Sequence, residues 1–116
     1  EEPPSSTALA RMVVCFNKQG NSNLAERTLE QALGLYPENA LVLRTAAEFY
    51  EKDAQKALRY WHKAYEINPY EIDTHERLVA LYTQQANDEN AQKHKEMLTV
   101  LYSGGAIVPD TPKNAE

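Results

Sequence analysis

Apolar positions along the chain fall into combs of helical spacing. Leu9, Met12, Val13 and Phe16 recur as Leu43, Ala46, Ala47 and Tyr50, and again as His75, Leu78, Val79 and Tyr82. Residues spaced i, i+3, i+4, i+7 line one face of an α-helix, so each comb predicts a helix with one buried side. A second pattern alternates with the first: Ala25-x3-Leu29-x2-Ala32-x4-Pro37 superimposes without a gap on Ala57-x3-Trp61-x2-Ala64-x4-Pro69. Small residues on either side of a large apolar one let another helix approach closely. The proline ends each segment, because it lacks the backbone donor and disfavours helix in the residue before it. A weaker third copy runs from Asp88 through Ala91, His94, Leu98 and Leu101. The pattern predicts an all-α chain of six antiparallel helices, in which first helices (A) alternate with second helices (B).

These residues resemble the tetratricopeptide family, whose 34-residue helix–turn–helix unit reads W-x2-L-G-x2-Y, then A-x3-F, then P. The segment from Ala57 to Pro69 is the nearest match, and its recurrence at Pro37 carries the resemblance. It implies a right-handed superhelical solenoid of three repeats, 6–39, 40–71 and 72–105, flanked by flexible segments at 1–5 and 106–116. Repeat two is two residues short, and the loss is expected in the turn between Tyr50 and Ala57, giving a tight hairpin with Asp53 as N-cap. Val13 and Val79 stand where the family prefers Gly or Ala, which keeps helices A and B further apart there than at Ala47. Ser103-Gly104-Gly105 replaces the closing proline of repeat three and suits a helix C-terminus. Trp61 is expected at the junction of repeats two and three. Lys95 occupies the position of Leu29 and Trp61, which suggests that helix 88–102 is the polar end cap a solenoid needs.

Composition narrows the function. The chain of 116 residues suits one domain, is 42% apolar and 25% charged, and carries a net charge of −5. That acidity, with scattered Lys and Arg, excludes a phosphate-tracking nucleic-acid surface. No apolar stretch is long enough for direct membrane insertion, which leaves a soluble module of the cytoplasm or periplasm, or one tethered from upstream. Cys15 is the lone cysteine, excluding an internal disulfide, and its apolar neighbours Met12, Val13, Val14 and Phe16 predict a buried thiol. His62, His75 and His94 fall on three helices with no i, i+4 pair, so His75 is expected at a helix contact, His62 and His94 in solvent, and no metal between them. Glu48 and Glu51 have the spacing of a general acid and base, but on such a helix they read as a solvated face. No nucleophile with its base, phosphate loop or cofactor motif is present, so the chain is not expected to be an enzyme.

The resemblance supplies a functional surface. In that family helices A line a concave groove, and the groove-facing positions here hold Thr7, Ala10, Val14 and Asn17, then Leu41, Arg44, Glu48 and Glu51, then Asp73, Glu76, Ala80 and Thr83. Val14 and Leu41 would form an apolar floor, and four carboxylates would face only Arg44 and the nearby Arg77. The implied partner is a neutral to basic segment of another protein, extended or helical. The five-residue clamp with which some members grip a C-terminal carboxylate maps to Ala10, Val14, Thr45, Asp73 and Arg77, of which only Arg77 fits, so that activity is not implied. The alternative is a self-assembly module, a homodimer packed through one end of the solenoid.

Overall fold

The computed structural model describes residues 2–104. Their secondary structure is six helices and no strand: α1 (Ser6–Lys18), α2 (Ser22–Leu35), α3 (Ala40–Phe49), α4 (Ala54–Ile67), α5 (Ile72–Gln84) and α6 (Asp88–Tyr102). They form two compact units, Glu1–Pro69 and Tyr70–Glu116, so α1 to α4 belong to one and α5 and α6 to the other. The segment expected to be a flexible tail, 106–116, lies outside the described residues.

Five of the six helices start on a Ser, Asn or Asp whose side chain accepts from the third backbone N–H of the helix: Ser5, Asn21, Asn39, Asp53 and Asn87. Each satisfies one of the donors that a helix start leaves open. Pro4 is also tied down, its carbonyl accepting from the Tyr36 hydroxyl at 2.7 Å. The two-residue shortening of repeat two falls between Tyr50 and Ala57, as expected, but it comes out of the end of α3 and not out of the turn, so the hairpin is not tightened. The α3–α4 connector, 50–53, is one residue longer than its counterparts 19–21 and 85–87, whereas α3 has 10 residues against 13 in α1 and α5. The reason is that Tyr50 is itself the C-cap of α3, while its equivalents Phe16 and Tyr82 are each followed by two more helical residues.

In the first unit Val13, Ala25, Leu29 and Ala46 form one buried cluster, closed by Phe16, Leu33, Phe49, Tyr50 and Tyr60. Leu9, Ala32 and Val42 form a second. Both use the predicted combs. Cys15, expected to be buried, is exposed, and Met12 is 40% exposed. The equivalent residues in repeat two, Ala46 and Phe49, are covered because they pack in the cluster with Ala25 and Leu29 of α2. Among the described residues no helix precedes α1 to do the same for it.

In the second unit α5 buries Thr74, His75, Leu78 and Tyr82, and α6 buries Ala91 and His94. His94 was expected in solvent. It is instead 3% exposed, with its Nδ1 2.8 Å from Nδ1 of His75 and its ring stacked on Tyr82. The α5–α6 connector holds Ala86 at φ +58°, the left-handed conformation that Gly20 adopts at φ +81° in the matching α1–α2 connector. A Cβ in that conformation costs about 1–2 kcal/mol, partly offset by the greater freedom glycine has when unfolded. Ala86→Gly is therefore expected to stabilise the fold by about 0.5–1 kcal/mol. An unchanged or lower midpoint in chemical denaturation would contradict this.

Candidate functional site

Helices α1 and α3 pack against each other, and the expected groove positions of the first unit lie on these two helices. Val14 is 40% exposed, Leu41 and Arg44 are half-buried, and Glu48 and Glu51 are exposed. Two residues assigned to this surface or its clamp turn inward: Ala10 is buried, and Thr45 is buried with its hydroxyl donating to the Leu41 carbonyl at 2.8 Å. Ala10 is drawn in because it neighbours the buried face made by Leu9 and Val13.

A cavity of about 480 Å³ opens between the end of α1, the start of α2 and the α3–α4 connector. Asn17, Glu48 and Glu51, all predicted groove positions, line it, together with Ser22, Phe49, Tyr50, Lys52 and Asp53. Val14, Leu41 and Arg44 are not among its lining residues. Asp53 is committed, since its carboxylate caps α4 by accepting from the Lys56 N–H at 3.2 Å. Among the described residues the carboxylates of Glu48 and Glu51 have no hydrogen-bond or ion-pair partner. The cavity is therefore lined by two carboxylates without a partner, Glu48 and Glu51, the capping carboxylate of Asp53, and one ammonium, Lys52.

Tyr50 forms the rigid wall. Its hydroxyl donates to Glu26 Oε2 at 2.9 Å, its ring stacks on Tyr60 at 6.0 Å, and Lys56 Nζ sits 4.2 Å from the ring centre. Burial, and then the Glu26 carboxylate, raise its hydroxyl above the usual phenol range. The ring is thus held by contacts to α2 and α4 before any ligand arrives.

In the second unit Asp73, Glu76, Arg77 and Ala80 are all exposed on α5. The expected row of open carboxylates is partly engaged. Asp73 faces Arg77 one turn on, at 3.9 Å, and Glu76 accepts from the Tyr102 hydroxyl of α6. The Glu76 hydrogen bond, followed by partial desolvation, raises Tyr102 above the ordinary phenol range. An exposed pair such as Asp73 with Arg77 contributes at most a few tenths of a kcal/mol but leaves less field for a ligand.

No protein-family model matches the chain, and no curated protein matches it in sequence. Among the described residues no group of three or more His, Cys, Asp or Glu side chains is placed to hold a metal ion, and no helix is long and apolar enough to cross a membrane. His62 instead pairs with Glu66 one turn on, at 3.3 Å. The residues that sequence reasoning missed are Ser22, Phe49, Tyr50 and Lys52 of the cavity and Tyr102 beside Glu76. The groove positions expected from the resemblance are four per A helix, whereas Ser22 and Tyr102 lie on B helices, Lys52 in a connector, and Phe49 and Tyr50 at the end of α3 outside those four positions.

Proposed function

We propose that the three helical hairpins are tetratricopeptide-like repeats of a right-handed solenoid and that the chain is an adaptor, not an enzyme, binding an extended or helical segment of a partner protein. The observation that supports the repeat reading is equivalence of place. Corresponding helices start 34 or 32 residues apart, Ala25, Leu29 and Ala32 match Ala57, Trp61 and Ala64 in burial, and Gly20 matches Ala86 in backbone conformation. The function reading rests on the outward face of the A helices, where Val14 and Leu41 offer apolar anchorage and Glu48 and Glu51 offer charge. The partner segment is then neutral to basic, and its attachment weakens as salt rises.

Panning a library of random peptides on the purified chain tests this. Selected peptides are expected to shift backbone amide resonances of α1 and α3 around Val14, Leu41, Arg44 and Glu48. A library that yields no binder, or shifts confined to α2 and α4, would overturn the adaptor reading. The second reading, a homodimer, is favoured by one observation: Met12 and Cys15 leave open the face that α2 covers in the next repeat. Sedimentation at rising concentration separates the two, since only the dimer gains mass.

A further inference from the structure

From the repeat equivalence proposed above, and independently of the groove, we infer that the outward stripe of α1 made by Ala8, Met12 and Cys15 is a docking surface for an acidic amphipathic helix of a partner protein. The three residues stand at i, i+4 and i+7, on one face of the helix, and all are exposed. Their equivalents in the other two repeats are covered. In α3 Val42 and Ala46 are buried and Phe49 is half-buried, and in α5 Thr74 and Leu78 are buried and Leu81 is half-buried. The chain itself shows what fits such a stripe. Val42 clusters with Ala32, and Ala46 with Ala25 and Leu29, so the stripe of α3 is covered by the Ala25-x3-Leu29-x2-Ala32 ridge of a single helix, α2. A helix with small residues on either side of a large one is therefore the shape that the same stripe on α1 accepts.

Charge selects among such helices. α1 carries two cations, Arg11 and Lys18, and no acidic residue. They stand one turn before and one turn after Cys15, along the edge of the stripe. Both are exposed, and neither has a hydrogen-bond or ion-pair partner among the described residues. A helix that lays its apolar ridge on Met12 and carries carboxylates two turns apart on its flank meets both cations at once. A second copy of the chain fits less well. Two α1 helices brought face to face would set Arg11 and Lys18 against the same cations, and like charges across an interface oppose binding. α6 offers no better ridge, since Lys95 stands where α2 has Leu29 and α4 has Trp61.

The test uses the intact chain and two synthetic helices, lactam-bridged because a short free helix is marginal in water. Both carry the ridge Ala-x3-Leu-x2-Ala, one with glutamates on both flanks and the other with lysines. The acidic helix is expected to bind, to shift the backbone amides of Ala8, Met12 and Cys15, and to protect Cys15, the only cysteine, from alkylation. The basic helix is expected to bind roughly tenfold or more weakly, since it exchanges two attractive charge contacts for repulsive ones. The double variant Arg11→Glu, Lys18→Glu should reverse that preference while circular dichroism stays unchanged, because both side chains are exposed. An acidic helix that leaves Cys15 and the stripe amides untouched would overturn the inference, and so would equal binding of the two helices. Shifts confined to Leu41, Arg44 and Glu48 would overturn this site and leave the groove standing. Cys15 protected without any peptide, in a chain whose mass doubles as concentration rises, would give the stripe to a second copy and overturn the partner helix as well.

Discussion

Trp61→Ala is expected to destabilise the chain by about 3–5 kcal/mol, the range for a fully buried aromatic cut back to a methyl group. Trp61 is 2% exposed, and its neighbours on the same helical face, Ala57 and Ala64, are 2% and 1% exposed. Both neighbours are already as small as a side chain with a Cβ can be, so neither can reach into the space the indole leaves. The cost is therefore the lost burial together with most of the cavity term. Trp61→Phe keeps a ring in the site and should cost clearly less. Chemical denaturation followed by far-ultraviolet circular dichroism measures all three proteins. In the wild type the same transition is visible in fluorescence, because Trp61 is the only tryptophan. A loss below about 1 kcal/mol for Trp61→Ala, within the spread of ordinary substitutions, would show that the indole adds little packing.

The second large effect is expected at the buried imidazole pair. His75 and His94 are 0% and 3% exposed, and their Nδ1 atoms lie 2.8 Å apart, so one nitrogen donates a proton to the other. Replacing either by leucine keeps much of the volume but takes from the remaining ring the imidazole nitrogen that its Nδ1 meets. Each single change should cost about 1–3 kcal/mol, the desolvation penalty of a buried polar group deprived of its partner. The double change His75→Leu, His94→Leu removes both polar atoms and should cost clearly less than the sum of the singles. A coupling of about 1 kcal/mol or more in the double-mutant cycle is the expected result. Additive losses would mean the two rings contribute only as packing volume. Nitrogen-15 spectra of the imidazoles supply an independent check, since one ring of the pair must carry its proton on Nδ1 and the other must not.

The sequence by itself determined the helices and much of the buried side. Leu9, Val13, Leu29, Leu43 and Trp61 were legible because a helix repeats every 3.6 residues, so spacing along the chain reports which residues share a face. Asp53 as an N-cap and Gly104 in a helix-ending left-handed conformation were legible too, because each is set by groups a few residues away. Three features were decided only in the folded chain. Cys15 is exposed although its local pattern is apolar, because what covers the same place in repeat two is the preceding helix α2. His94 shares the comb of Ala91, Leu98 and Leu101, but that its imidazole is buried against His75 of α5, 19 residues away, is decided by how the two helices pack. The cavity joins residues 17 and 22, at the end of α1 and the start of α2, to residues 48–53, and whether Glu48 and Glu51 stay unpaired there depends on which cations reach them in space. Local spacing encodes which side of a helix turns inward; what that side meets, and which charges are left without a partner, is settled by packing between segments distant in sequence.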